Sequence, residues 1–310
     1  MSTTQSTSPA CLGPRATTAP RRLRVPAGAW DTHAHVIGGG PDFPFVANRS
    51  YTPPAATPAQ HAAMLDATGM AYGVLVQVSV HGIDNSLLVK ALRERPGRLR
   101  GVAVIDADMT DAALLALRDA GVTGIRVNEL FSGGGGAGDL AGLGARCAAL
   151  GWHIQLALHG TRIRELKSVI ERLKVPVVID HMGWCAASAG VNQPDFQAVL
   201  SLVRDAGCWV KLSGAYRMSA QAAPYWDAAP DTNAALYADA APFAQALAAA
   251  APDRLLWGSD WPHVALTDPA AMPQPGELLD VLHDQLDGDE ALLHAVLAAN
   301  PPRLYGMPAS

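Results

Sequence analysis

Two histidines one residue apart, His33 and His35 in "WDTHAHV", are the first residues in the chain whose type and spacing can do chemistry. On a strand, residues i and i+2 point the same way, roughly 6.5–7 Å apart, so both imidazoles can reach one metal ion or one substrate oxygen. Alone, the pattern usually means two satisfied polar residues. It gains meaning because other polar groups also follow apolar runs: Ser79 and His81, Arg126 with Asn128 and Glu129, His159, His181, Ser213 with Arg217 just beyond, and Asp260. Asp260 comes directly after "LLWG", which predicts a partly desolvated carboxylate able to take a proton from an attacking water. The same Asp-Trp-Pro sequence also suits a helix start.

The elements that must carry these groups are short apolar runs alternating with alanine- and leucine-rich helical stretches. The strand candidates are 30–36, 72–80, 99–105, 124–128, 152–158, 175–181, 208–214 and 254–260. Most are continuously hydrophobic, as strands of a parallel sheet covered on both faces are. Between them, stretches such as 111–121, 164–174 and 194–207 read as helices, the first closing on Gly121. Eight strands with helical crossovers predict an α/β fold, the (β/α)8 TIM barrel, with a doubly wound open sheet as the rival. In such a barrel reactive groups gather at the C-terminal strand ends, where these polar residues fall.

Composition narrows the function classes. Of the 310 residues, 49% are hydrophobic and 16% charged, with a formal net charge of −5 and no basic face. Nucleic acid and anionic membranes are therefore poor partners, and no apolar stretch reaches the roughly 20 residues of a membrane span. The four cysteines are scattered singly, which suits reduced thiols in a cytoplasmic protein. Residues 1–26, rich in Ser, Thr and Pro, read as a mobile tail, and 27–310 as one domain. A homo-oligomer stays open.

Jointly, "DTHAHV", "DHMG" (180–183) and "WGSDWPH" (257–263) resemble the amidohydrolase superfamily, and within it the 2-pyrone-4,6-dicarboxylate lactonase group. The likeness runs from Trp30 to "NPPRLYG" (300–306) and includes "FPFVANRSYTP" (43–53), "VQVSVHGIDN" (76–85) and "LGWHI" (150–154). The resemblance implies that His33, His35 and His181 surround a scissile ester carbonyl or a metal, and that Asp260 activates the hydrolytic water. It implies that Arg126 and Arg217 hold a substrate carboxylate, for which a planar guanidinium is suited. A salt bridge for Arg126 and a surface role for Arg217 are the alternatives. Tyr51, Ser79, His81 and Trp184 complete the expected substrate contacts.

Two features depart from the lactonase pattern. The basic residues expected after "GIRVN" are replaced by "ELFSGGGGAG" (129–138), read as a flexible insertion able to fold over a ligand; the role of Gly133–Gly138 stays open. The chain also carries His159 where the lactonase lacks a histidine. The set His33, His35, His159 and Asp260 thereby matches mononuclear zinc members of the superfamily, so one divalent metal, Zn²⁺ first, is expected beside a metal-free mechanism. The expected reaction is hydrolysis of a small anionic lactone; the alternative is non-oxidative decarboxylation of an aromatic or unsaturated acid on the same fold. His263 reads as support for Asp260 or as packing alone, and His61, His283 and His294 as surface residues.

Overall fold

The eight apolar runs become eight parallel strands in a computed structural model, which describes residues 8–221 and 236–308. They are β1 (Trp30–Ala34), β2 (Tyr72–Val76), β3 (Leu99–Ala103), β4 (Val122–Asn128), β5 (His153–Ala157), β6 (Val177–Ile179), β7 (Trp209–Lys211) and β8 (Leu255–Leu256). Each strand pairs with the next in sequence order. Beyond β8 the chain turns back onto β1: Thr32 N–H donates to the Trp257 carbonyl at 3.0 Å, Asp260 N–H to His33 at 2.8 Å, and His35 N–H to Trp261 at 2.7 Å. That seam closes the sheet into a (β/α)8 barrel and removes the open-sheet rival. The strands are shorter than the apolar runs because the last residues of several runs leave the ladder as buried turns, Ser79–His81 and His181–Trp184 among them.

The crossover helices begin and end on local signals. Thr57 and Gln60 form a reciprocal capping box before the helix Pro58–Thr68, which stops at Gly69 with φ 78°. The predicted helix at 111–121 spans Asp111–Asp119, with Thr110 capping it and Gly121 at φ 102° just past its end. The helices Gly160–Ile170 and Pro194–Asp205 correspond to the other two. Among the described residues, no helix is long and apolar enough to cross a membrane.

The core has two parts. Outside the barrel, helix side chains pack on the strands and on one another, as where Phe196 of the helix Pro194–Asp205 meets Phe243 of the helix Ala241–Ala250 with ring centroids 4.5 Å apart. Inside, toward the N-terminal strand ends, Trp30, Val74, Val76, Val102, Val178, Trp209, Leu256 and Tyr305 form a separate apolar plug.

Two expectations are corrected here. From Ser8 onward the segment read as a mobile tail lies against the barrel: Cys11 N–H donates to Thr52 at 3.0 Å, and the N–H groups of Arg21, Arg22 and Leu23 converge on the Asp280 carboxylate at 2.8–3.1 Å. Residues 1–7 lie outside the described residues. His61, read as a surface histidine, is buried, with its ring 5.8 Å from that of Trp261. Burial pushes it down to about 3, so it packs as a neutral ring.

Candidate active site

The seam between β1 and β8 sets the first histidines. A Cβ at Gly258 would lie 2.4 Å from the His33 Cβ, so only glycine lets the two chains approach this closely. Below it, the buried Asp31 carboxylate accepts hydrogen bonds from Ser259 N–H (2.9 Å), Ser259 Oγ (2.6 Å) and His33 N–H (3.1 Å), which fixes the backbone on both sides. His181 and Asp260 both adopt left-handed backbone, at φ 51° and 59°. For non-glycine residues that conformation is uncommon and clusters at sites where surrounding structure over-determines it. A Cβ at Gly214 would come within 2.7 Å of His181 Cβ, so a second glycine makes room for that turn.

Asp260 is the hub. Its Oδ2 accepts from Tyr216 Oη at 2.6 Å and Arg217 Nε at 2.8 Å, while Oδ1 faces His35 Nε2 at 3.4 Å and His33 Nε2 at 3.6 Å. His181 Nε2 stands 3.9 Å from Oδ2, its Nδ1 engaged with Ser213 Oγ at 2.9 Å. Burial alone would raise the Asp260 carboxyl; the Arg217 guanidinium, helped by the histidines, overrides it and holds the group well below the usual carboxylate range. Burial pushes His181 down to about 4 and His33 well below its ordinary value, the Lys211 charge adding to the latter. At neutral pH the site thus sets a carboxylate beside the neutral imidazoles of His33 and His181, the state a general base needs.

Beneath it lies a polar layer that sequence reading did not assemble. Asp180 Oδ2 receives Arg126 Nε and Nη2, both at 3.3 Å, and Gln155 Nε2 at 3.0 Å. Lys211, fully buried on β7, donates to Gln155 Oε1 at 2.8 Å and Thr32 O at 2.9 Å, with its Nζ 3.2 Å from His33 Nδ1. A lysine inside "CWVKLSG" and a glutamine inside "WHIQLAL" were the available signals, since a polar residue interrupting a buried strand must find partners. Arg126 is therefore held by Asp180 rather than standing as a free carboxylate clamp, though its side chain also reaches the cleft.

The cleft above is nearly filled by its own side chains, with only about 10 Å³ open to the centre of a water molecule, far less than a ligand pocket. It is lined by His35, His181 and Asp260 with Tyr51, Ser79, Phe131, Trp184, Arg126 and Arg217. Tyr51 Oη and Ser79 Oγ lie 3.2 Å apart, and the Arg217 guanidinium sits 5.2 Å over the Trp184 ring, so Arg217 is a cleft residue and not a surface one. His81 is not in this lining. Its Nε2 accepts from Gly38 N–H at 3.2 Å and its Nδ1 faces Pro44 O at 3.3 Å, so it ties down the 38–44 loop. His159 is exposed at the start of the helix Gly160–Ile170, beside Trp184 and outside the buried ligand cluster, because the chain has already turned outward there. His263 is buried beneath the site, with Nε2 3.1 Å from Ser259 O.

Phe131 comes from the segment read as a flexible insertion. That segment is anchored: Asn128 N–H donates to Gly135 O (2.7 Å), Ala137 N–H to Glu129 Oε1 (2.9 Å) and Ser132 N–H to Ser50 Oγ (2.8 Å). Gly133 passes so near Ser79 O that a Cβ would lie 2.3 Å away. The loop thus sets Phe131 edge-on against Tyr51, closing one wall of the cleft.

A cation fits the donor spacing. His33, His35 and Asp260 each offer an atom within 4.8 Å of the others. The 3.4 and 3.6 Å separations from Asp260 Oδ1 resemble the roughly 3.4 Å between ligand atoms around a tetrahedral Zn²⁺. His35 Nδ1 lies 2.7 Å from Val76 O and must carry a hydrogen, so in the neutral ring Nε2 holds the lone pair; among the described residues His33 Nε2 has no hydrogen-bond partner.

Comparison with known proteins gives the same setting. The amidohydrolase family profile matches residues 30–307. A 4-sulfomuconolactone hydrolase of Rhizobium radiobacter is 38% identical over 306 residues, covering 98% of each chain. A 2-pyrone-4,6-dicarboxylate hydrolase of Comamonas testosteroni is 37% identical, covering 92% of each. Among solved structures, a candidate 2-pyrone-4,6-dicarboxylic acid hydrolase from Pseudomonas putida superposes with a TM-score of 0.75 at 31% identity, over 93% of this chain and 100% of that one.

Proposed function

The chain belongs to the amidohydrolase family, and from that premise we propose that it opens a small anionic lactone by attack of a water that Asp260 activates. The observation that carries the reading is the division of labour on one carboxylate. Oδ2 is held by Tyr216 and Arg217, which leaves Oδ1 as the oxygen that faces the histidines and can accept a proton. The names of the curated relatives, both lactone hydrolases, point the same way.

In this reading the water gives its proton to Asp260 Oδ1 as its oxygen bonds to the lactone carbonyl carbon. The ring C–O bond then breaks, and the proton passes from Asp260 to the departing ring oxygen. His181, neutral and directed at the same space, orients the carbonyl, while Arg217 and Arg126 supply positive charge toward the substrate's anionic group. Tyr51, Phe131 and Trp184 bound the ring. A divalent cation, Zn²⁺ by its nitrogen and oxygen donors, would be held by His33, His35 and Asp260 and would lower the pKa of the bound water.

The test is ring opening of 4-sulfomuconolactone and 2-pyrone-4,6-dicarboxylate by the purified chain. Release of one acid equivalent per turnover without CO₂, abolished in a folded Asp260→Asn variant, is the expected result. CO₂ release would replace the reading with a decarboxylase, and opening of neither lactone would overturn it.

A further inference from the structure

The two histidines of the H-x-H pair share a strand face but not an environment behind the ring. His35 Nδ1 meets a carbonyl, Val76 O, at 2.7 Å, and a carbonyl only accepts. His33 Nδ1 has two neighbours of opposite character: the Lys211 Nζ at 3.2 Å, which only donates, and Asp180 Oδ1 at 3.3 Å, which only accepts.

The hydrogen count separates them. An ammonium has three hydrogens, and Lys211 has three acceptors in range: Thr32 O, Gln155 Oε1 and His33 Nδ1. Its distance to Asp180 Oδ1 is longer, 3.5 Å. The amide of Gln155 is fixed in turn, its oxygen taking the Lys211 hydrogen and its nitrogen donating to Asp180 Oδ2. Asp180 Oδ1, charge-paired with His33 Nδ1 at 3.3 Å and Lys211 Nζ at 3.5 Å, has no well-aligned hydrogen bond among the described residues.

We propose that Lys211 is a positioning residue that sets His33 in the Nε2–H tautomer, opposite to His35, and so opposes cation binding at this pair. His33 Nε2 then offers a hydrogen toward Asp260 Oδ1 and the cleft, while His35 Nε2 offers a lone pair. A water between them meets one donor and two acceptors, Asp260 Oδ1 and His35 Nε2, and is oriented by them. A cation needs lone pairs on both rings. To bind one, His33 must release Lys211 and donate its Nδ1–H to Asp180 Oδ1, the carboxylate–histidine arrangement that metal-ligating histidines use. Asp180 Oδ1 is the acceptor waiting for that exchange. The inference rests on the hydrogen-bond geometry and stands whether or not the lactone reading does.

Nitrogen-15 NMR of the chelator-treated chain, labelled at histidine and assigned with His33→Asn and His35→Asn variants, reads the tautomers directly and needs no change at Lys211. Opposite tautomers for the two rings are expected, and Nδ1–H on both would overturn the proposal. Lys211→Met, similar in length and unable to donate, is then expected to move His33 to the Nδ1–H form and to tighten Zn²⁺ binding in calorimetry by about tenfold or more. Arg126→Met removes a nearby positive charge without touching His33 and is expected to leave the His33 tautomer unchanged. A folded Lys211→Met protein with an unaltered His33 tautomer, or with weaker Zn²⁺ binding, would refute it. So would an equal shift in Arg126→Met, which would make charge and not the hydrogen bond the cause.

Discussion

The lower and upper layers of the same barrel interior differ more than any two other parts of the molecule. On β6, Val178 packs in the lower plug and Asp180, two residues on, carries the buried ion network; on β7 the pair is Trp209 and Lys211. One step of about 6.6 Å along a strand thus separates apolar packing from a layer in which nearly every atom is committed to a hydrogen bond. The lower layer stabilises through area removed from water and tolerates any well-shaped apolar filling. The upper layer depends on each donor having its acceptor, because a buried charge that loses its partner costs about 3–5 kcal/mol. Function and stability are therefore written on the same strands in different layers, and substitutions should separate them.

The largest effect is expected at the top of the upper layer. Asp260→Asn should lower kcat for lactone opening by about 10³-fold or more, ~4 kcal/mol of barrier, with the circular dichroism spectrum retained but the thermal midpoint lowered, because Arg217 stays buried without its counter-charge. A variant with most of its activity left would show that some other group takes the water's proton. In the plug, Leu256→Ala should do the reverse. Removing that fully buried side chain should cost ~3 kcal/mol in urea unfolding, with kcat changed by less than about threefold. A large kcat loss there would mean the two layers are mechanically coupled.

Tyr216→Phe is intermediate. It deletes one of the two donors on Asp260 Oδ2, a hydrogen bond to a charged group worth ~1.5 kcal/mol of folding free energy, so urea unfolding should weaken by about that much while kcat/KM falls about tenfold. An unchanged kcat/KM would say that Arg217 holds the carboxylate unaided.

The smallest effect concerns His61, outside both layers. Burial lowers its folded-state pKa to about 3 from 6.5, so the unfolded chain binds a proton that the folded chain refuses. Its contribution is complete above pH 6.5 and is lost as pH falls toward 3, with a slope of up to ~1.4 kcal/mol per pH unit. His61→Leu should flatten the loss of stability between pH 7 and 5 in urea titrations; an identical slope would remove His61 from the acid response.

Much of this was legible along the chain. Eight apolar runs and their helical spacers foretold the barrel, since burial on both faces of a parallel strand leaves a continuous hydrophobic trace. His33, His35, His181 and Asp260 stood out because polar residues at the ends of such runs are conspicuous; His35, His181 and Asp260 line the cleft, while His33 is buried behind it against Asp260. His159 and His81 carried the same signature and failed, because a residue at a strand end can turn inward or out, and only the loop that follows decides. Asp180 and Lys211 lay in quoted motifs without a role, since their meaning depends on partners 25 to 179 residues away. By itself, then, the sequence determined the alternation of elements and the chemical types at the strand ends, both local properties of periodicity and composition. Tertiary structure alone decided which side chains meet, which oxygen of Asp260 is free, and which ring nitrogen of each histidine faces a donor, because hydrogen-bond pairing and desolvation act between distant segments through ångström-scale distances that sequence spacing does not encode.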